Sequence, residues 1–380
     1  VAVGADRFRA EERADVGGPE DLLSGEVAGA RAVRDEDAFD VERVAGWLRE
    51  HGDAALAGTP EVRQFSGGAS NLTYLLRYPE RDLILRRPPA GHKAKSAHDM
   101  GREFTIQSRL APVFPYVAPM VAFCDDESVI GSQFYVMERL VGPIPAVDLP
   151  AGVELTPEQA RSLATNTFDL MIDLHGVDVD AAGLRDLGKG EGYVARQVGG
   201  WSGRYRKART PDVGPMESTM DWLDAHQPPD RRTCLIHNDF RMDNIVYAPD
   251  DLTRPIGLLD WEMATLGDPL MDLGGAIAYW VQADDDAEIQ LARMQPSHLP
   301  GMPTRQGIFD YYGERTGLEV GERDRVFYEV FGLFRLAVIA QQIYYRYYHG
   351  QTTNPRFKDI GVWVDILDRR CQRLIAAAGS

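Results

Sequence analysis

Cysteine is scarce in this chain. Cys124, Cys234 and Cys371 are the only three in 380 residues, odd in number and far apart, so neither a disulfide framework nor a zinc site is implied. Positive charge is also short. Forty-one Lys and Arg stand against 58 Asp and Glu, a formal net charge of −17, which argues against a general nucleic-acid binder. No apolar run reads as long enough to span a membrane, and the N-terminal stretch lacks an apolar signal core. These absences set the expectation of a cytoplasmic protein with neither a nucleic-acid nor a membrane partner. The chain opens on Val1 rather than Met, which hints at a trimmed form. There is no Gly-x-x-x-x-Gly-Lys-Ser/Thr loop, which removes the P-loop folds. Gly188, Gly190 and Gly192 imitate a dinucleotide loop, but the third glycine is misplaced and no apolar strand precedes them.

What is present is more directive. His237, Asn238 and Asp239 are followed by Asn244, five positions after the Asp, and then by Asp260 at the end of the apolar run 255–259. Phosphoryl transfer from ATP needs a carboxylate to orient the acceptor hydroxyl and take its proton. It also needs oxygen ligands that hold Mg²⁺ against the phosphates. The order and spacing assign Asp239 as base and Asn244 and Asp260 as metal ligands, with apolar strands 233–236 and 245–247 flanking the loop. His237 reads as a structural hydrogen-bonding residue.

Upstream, Gly67 and Gly68 let a backbone approach an anion, and Ser66 and Ser70 add hydroxyls and amides. Residues 71–76 and 82–86 read as successive strands. The second should present a cation to the α- and β-phosphates, usually Lys; here it offers Arg86, followed by Arg87. Arg binds phosphate bidentately, so the role is chemically open to Arg86, with Arg87, Lys93 and Lys95 as alternatives. A helix capped near Ser96 or Asp99 carries Glu103, placed to pair with Arg86.

The motif around Asp239, together with Leu258 to Glu262 and Gly267 to Leu273, resembles the aminoglycoside phosphotransferase family, from about residue 40 to the end. The resemblance implies an α+β, two-lobed protein-kinase-like fold, with a small, mainly antiparallel-sheet N-lobe and a larger helical C-lobe. It also implies that residues 65–74, including Asn71, form the phosphate-covering loop. Glu138 and Leu140 would lie in a hinge whose backbone contacts adenine, and Asp272 would brace the catalytic loop. ATP and Mg²⁺ are the implied cofactors. Residues 66–74, 85–89 and 96–103 look closest to a branch of kinase domains attached to, or encoded beside, acyl-CoA dehydrogenases. Members of that branch are thought to phosphorylate hydroxyacyl-CoA.

The expected organisation is a flexible acidic arm over 1–34, an N-lobe over 35–141 led by a helix at 39–51, and a C-lobe over 142–380. Thr156, Pro157 and Gln159 form a capping box ahead of an apolar stripe ending at His175. Residues 193–225 look like an inserted helical pair, and 326–349 and 360–377 like further helices. Arg196, Arg204, Arg206, Lys207 and Arg209 lie in a stretch without an acidic residue, readable as an anion-binding patch or as a solvated basic helix face. Phe334, Arg335 and the tyrosines that follow could line a pocket or pack on the core. The expected activity is an ATP- and Mg²⁺-dependent kinase acting on a small-molecule hydroxyl acceptor, preferably a hydroxyacyl-CoA, with a possible functional link to an acyl-CoA dehydrogenase. The alternatives are an aminoglycoside O-phosphotransferase and a non-catalytic pseudokinase.

Overall fold

A computed structural model of the chain describes residue 27 and residues 29–65, 71–89 and 99–379. Ser66, Gly67, Gly68, Ser70, Lys93, Lys95 and most of the expected N-terminal arm lie outside the described residues. In chain order the first elements are β1 (Ala30–Arg31), α1 (Val41–His51), β2 (Glu61–Phe65), β3 (Leu72–Arg77) and β4 (Asp82–Arg87). They are followed by α2 (Met100–Leu110), β5 (Met120–Cys124) and β6 (Phe134–Glu138). Together they build one antiparallel sheet in the order β1-β2-β3-β4-β6-β5. β1 falls inside the stretch expected as an arm, so at least that part is paired on the sheet edge. The first helix begins two residues later than expected, because the Asp40 carboxylate accepts from the Arg43 amide at 3.0 Å and caps it there.

The two-residue period of the strands sorts their side chains onto two faces. Tyr74, Leu76, Leu83, Leu85, Phe134 and Val136 bury against Val44 and Leu48 of α1. Leu75, Ile84, Tyr135 and Met137 bury with Met100 of α2. Arg86 shares the parity of Ile84 and faces α2. Arg87 shares that of Leu85 and faces the α1 side, so neighbouring arginines of one strand serve different surroundings.

The second lobe starts with α3 (Pro157–His175), whose capping box is formed: Gln159 N donates to Thr156 Oγ1 at 3.3 Å, and Thr156 N to Gln159 Oε1 at 2.9 Å. Then come α4 (Tyr193–Ala208), α5 (Glu217–Ala225), β7 (Cys234–Ile236), β8 (Ile245–Ala248), β9 (Asp251–Leu258) and β10 (Thr265–Gly267). The chain ends with α6 (Pro269–Ile277), α7 (Ala287–Leu291), α8 (Arg305–Thr316), α9 (Glu322–Tyr348) and α10 (Ile360–Ala378). Two short antiparallel ribbons, β7 with β10 and β8 with β9, carry the loops of interest on a helical bed. A single large core joins α3, α4, α6, α9 and α10 beneath them.

α9 corrects one expectation. Its 27 residues are, by length and composition, apolar enough to cross a membrane, although 72% of the most apolar window is buried inside the protein. Scattered Arg, Gln and Tyr side chains broke the run in the sequence, and burial as a central core helix accounts for its apolar character.

α9 and α6 meet backbone to backbone. A Cβ on Gly332 would lie 2.1 Å from the carbonyl oxygen of Gly274, and one on Gly274 would lie 2.5 Å from that of Tyr328. Neither position has room for a methyl group, and this crossing seats the helix that carries Asp272. Gly332→Ala is therefore expected to cost about 1–3 kcal/mol through forced separation of the helices. A thermal-unfolding midpoint equal to that of the native chain would refute the crossing.

Candidate functional site

β7 delivers the chain to a tight loop whose shape is set by one buried carboxylate. Asp272, on α6, accepts from the backbone amides of His237 at 2.8 Å and of Asn238 at 2.7 Å. It also pairs with His175 Nε2 at 3.1 Å, and His175 Nδ1 lies 2.8 Å from the Tyr312 hydroxyl. Burial works against the charge of Asp272, yet the His175 hydrogen bond and charge and the His237 contacts outweigh it, holding the carboxyl below its ordinary value.

His237 is fully buried and braces rather than reacts. Its Nε2 faces the Leu259 carbonyl at 2.9 Å and so must carry the proton. Its Nδ1 accepts from the Asp239 amide at 3.3 Å. Asn238 occupies the left-handed region at φ +65°, which Asn tolerates better than most residues. This bend turns the chain so that Asp239 follows at the mouth of the site. Asn244 sits in a 3-10 turn and donates through Nδ2 to the Asp239 carbonyl at 2.8 Å and to Asp239 Oδ2 at 3.0 Å. Its backbone carbonyl accepts from Leu259 N at 2.8 Å, tying the loop to the strand that ends at Asp260.

Asp260 is also left-handed, at φ +65°, and opens the turn Trp261–Met263. Trp261 beneath it is fully buried, its indole N–H donating to the Leu258 carbonyl at 2.9 Å. Across the lobes, Arg86 Nη2 meets Asp260 Oδ1 at 3.0 Å, and Nη1 stands 3.5 Å from Glu103 Oε2. Glu103 is almost fully buried and accepts from Tyr135 Oη at 2.8 Å and from Asn71 Nδ2 at 3.0 Å. Burial lifts the Glu103 carboxyl above its ordinary value, against the pull of Arg86. For Arg86, burial disfavours the charge, but Tyr135, Glu103 and Asp260 more than offset it and hold the guanidinium charged. Asn71 also donates to Glu262 Oε2 at 3.3 Å, and Arg102 donates to the carbonyls of Glu262 (3.1 Å) and Ala264. Charge and hydrogen bonding thus join the sheet, α2 and the Asp260 turn.

The structure brings Asp239, Asn244, Asp260, Arg86, Glu103 and Asn71 into one cleft. It does not bring Arg87 there. That guanidinium donates to Tyr74 Oη and to the Asp37 carbonyl and lies over the Phe39 and Tyr74 rings. The Glu138 side chain is taken up by Arg81 at 2.8 Å, and its backbone amide donates to the Pro119 carbonyl at 2.8 Å. Leu140 packs where a side chain on Gly257 would otherwise stand, its Cδ1 2.1 Å from the position of a Cβ there.

Sequence reading missed Arg241 and Glu262, although both lie inside the motifs that identified their neighbours. Arg241 Nε is 3.7 Å from Asp239 Oδ1, its Nη2 is 2.9 Å from Asp243, and it lies over the Tyr279 ring. Burial opposes its charge, but Asp243 and Asp239 outweigh burial and keep it ionised. The basic stretch on α4 is partly spent within the fold. Arg206 pairs with Glu217 at 2.6 Å, and Arg196 binds the Gly190 and Glu191 carbonyls. Arg204 stacks over Trp201 at 4.4 Å, and Lys207 and Arg209 are exposed.

As a test of fit for a divalent cation, Asn244 spends its amide nitrogen on Asp239, which leaves its oxygen as donor, and the Asp260 carboxylate is about a third exposed. No group of three or more His, Cys, Asp or Glu that could hold a metal occurs among the described residues. One amide oxygen and one carboxylate suit Mg²⁺, which takes few protein ligands and completes its shell with phosphate and water oxygens.

Asp272→Asn should destabilise the chain by about 3–5 kcal/mol at pH 7, since it leaves buried donors without their anion. Because the folded-state pKa of Asp272 is depressed, its contribution is fully present above the ordinary value of 3.8 and is lost as pH falls through the lower folded value. The stability gap between native chain and variant, read from denaturant midpoints, should therefore close toward low pH. A gap that widened there would contradict the assignment.

The profile of the phosphotransferase enzyme family matches residues 61–307. Acyl-CoA dehydrogenase family member 10 of Mus musculus is 33% identical over 336 residues, which cover 88% of this chain and 31% of that protein. The chain thus spans about a third of the length of that relative. A provisionally named aminoglycoside phosphotransferase from Ralstonia eutropha JMP134 superposes with a TM-score of 0.74 at 30% identity, covering 89% of this chain and 98% of its own. A thermostable aminoglycoside phosphotransferase mutant, solved with AMP-PNP and hygromycin B, shares the fold at a TM-score of 0.54 and 14% identity, covering 86% and 97%. The architecture is that of these proteins: α+β, two-lobed and protein-kinase-like.

Proposed function

This chain belongs to the phosphotransferase enzyme family, and on that premise we propose that it transfers the γ-phosphoryl group of ATP to a hydroxyl of a small molecule, with Mg²⁺ as cofactor. The observation that carries the reading is the meeting of Asp239, Asn244 and Asp260 with the buried cation Arg86 in one cleft between the lobes. Asp239 Oδ2 is held by Asn244, and Oδ1, 3.7 Å from Arg241 Nε, is the oxygen that accepts a hydrogen bond, and then the proton, from the acceptor hydroxyl. Arg86 is the cation for the α- and β-phosphates, kept in place by Glu103 as the Lys–Glu pair is in protein kinases. Asn244 and Asp260 would hold Mg²⁺, which neutralises charge on the phosphates. Leu140 and the Glu138 carbonyl would meet the adenine, and the sequence motif assigns Ser66, Gly67, Gly68 and Ser70 to the phosphates.

For the acceptor we favour a hydroxyacyl-CoA or a similar anionic alcohol. Support comes from exposed Arg204, beside Trp201, and Lys207 on α4, and from exposed Arg209 just past its end. It comes also from the name of the mouse relative, an acyl-CoA dehydrogenase family member of which this chain matches about a third. A functional connection to such a dehydrogenase, and residence in the cytoplasm, belong to the same proposal. An aminoglycoside acceptor is the second reading, supported by the name given to the 30% identical structure from Ralstonia eutropha JMP134.

Asp239→Asn should lower kcat by roughly 10²–10⁴-fold with nucleotide binding retained; undiminished turnover would remove Asp239 as base. Asp260→Ala should weaken nucleotide binding only when Mg²⁺ is present, measured by calorimetry with and without the metal. Equal affinities in the two conditions for native and variant chains would end the metal assignment. An ATP-dependent mass-shift screen over hydroxyacyl-CoAs, aminoglycosides, amino alcohols and sugars should show an 80-Da gain on a hydroxyacyl-CoA, as addition of HPO₃ requires. Phosphorylation of an aminoglycoside alone would reverse the preference.

A further inference from the structure

Every polar group of Asn238 is engaged, and each by a different part of the C-lobe. Its amide donates to Asp272 Oδ1 on α6 at 2.7 Å. Its side-chain nitrogen donates to the Met263 carbonyl, in the turn opened by Asp260, at 3.1 Å. Its side-chain oxygen accepts from Tyr193 Oη, in the first turn of α4, at 3.1 Å. Its backbone carbonyl accepts from Arg335 Nη2, in the middle of α9. Asn enters the left-handed region at φ +65° more readily than most residues, and these four hydrogen bonds hold it there.

Arg335 is the least expected of these four partners. It is 7% exposed, its guanidinium lies 5.3 Å from the centre of the Trp201 ring of α4, and no carboxylate is recorded as its partner among the described residues. A buried Arg without a paired carboxylate is costly to keep, and a charge-assisted hydrogen bond to one carbonyl oxygen is a directional use for it. That oxygen belongs to the peptide group linking Asn238 to Asp239. A hydrogen bond there fixes the plane of the peptide from which the Asp239 side chain departs. Tyr193 is itself fixed, because Asp230 accepts from the amides of Tyr193 and Val194 at 2.8 and 2.9 Å and so anchors the start of α4.

We infer that Arg335, with Tyr193, is a positioning residue for phosphoryl transfer: by clamping the left-handed Asn238 it sets the direction of Asp239 and couples the base to α4, the helix on the acceptor side. The inference rests on the assignment of Asp239 as base. It also gives Trp201 a role, since the ring that Arg335 lies against carries Arg204 as well. Movement of α4 on acceptor binding would pass through Tyr193 and Trp201 to the peptide before the base. Misplacement of a reacting group by about 1 Å costs on the order of a hundredfold in rate, so a clamp on this peptide has kinetic weight.

Arg335→Met, Arg335→Lys and Tyr193→Phe test it with two readouts on the full chain. Hydrogen–deuterium exchange needs no acceptor. Arg335→Met and Tyr193→Phe should accelerate exchange of the amides around 238–239 roughly tenfold while α10 stays protected, with Arg335→Lys in between, as loss of one hydrogen bond implies. The kinetic readout uses Mg-ATP with a hydroxyacyl-CoA as probe. Arg335→Met should lower kcat by roughly tenfold to a hundredfold with KM for ATP unchanged, and Arg335→Lys should recover part of the loss. Unchanged exchange at 238–239 in both Arg335→Met and Tyr193→Phe would overturn the clamp. So would a fall in activity no larger than the fall in folded fraction. Asp239→Asn run alongside separates the two claims. If it keeps full turnover, the base assignment fails, whereas exchange still reports whether the clamp exists.

Discussion

The site depends on a negative charge that water never reaches. Asp272 lies within the core of the C-lobe and is kept ionised by two consecutive backbone amides and a histidine. An isolated carboxylate could not survive there; it would protonate or force the loop open. With His237 N and Asn238 N as its donors, the chain after β7 has one shape in which that charge is satisfied. Asn238 must then turn left-handed, and Asp239 must emerge on the cleft side. The glycines at the α6–α9 crossing serve the same end, because they let α6 approach closely enough for Asp272 to reach the loop.

A second set of charges crosses between the lobes. Arg86 enters from the sheet, Glu103 from α2, and Asp260 from the far side of the cleft. Arg86 and Glu103 are nearly buried and Asp260 is about a third exposed, so the attraction across the cleft is partly shielded from solvent screening and helps hold the present closure. Asn71 and Arg102 add neutral and cationic hydrogen bonds to the same turn. A polyphosphate entering here would compete with Asp260 for Arg86, which makes nucleotide binding and lobe geometry parts of one electrostatic balance.

Much of this was legible in the sequence, for reasons that can be named. The interval from Asp239 to Asn244 is a local geometric requirement, because a 3-10 turn must bring the Asn amide back to the Asp carbonyl. The capping box at Thr156 and the strand alternation through 72–87 are likewise local. Which arginine faces the cleft was left open between Arg86 and Arg87, yet parity settles it once α2 is known to cover the face of Ile84. The start of the first helix, the pairing of Ala30 and Arg31, and the character of α9 were misread or unseen. The sheet edge and the surrounding core are partners distant in the chain, whereas the helix start is set locally, by the Asp40 cap on Arg43.

Sequence alone therefore supplied the candidate donor-side residues and, through the family resemblance, the fold that carries them. The candidates rest on residue types at short, fixed separations, where backbone geometry leaves few alternatives. The family resemblance implied that Asp272 braces the loop, and tertiary structure decided by which contacts, there and elsewhere, the loop is held. Asp272 reaches the loop over 34 and 35 residues, Asn71 reaches Glu262 over 191, and Arg335 reaches Asn238 over 97. No spacing rule predicts such contacts, because they exist only after the core has packed and excluded water, when each buried polar group must find whichever partner the fold has placed beside it.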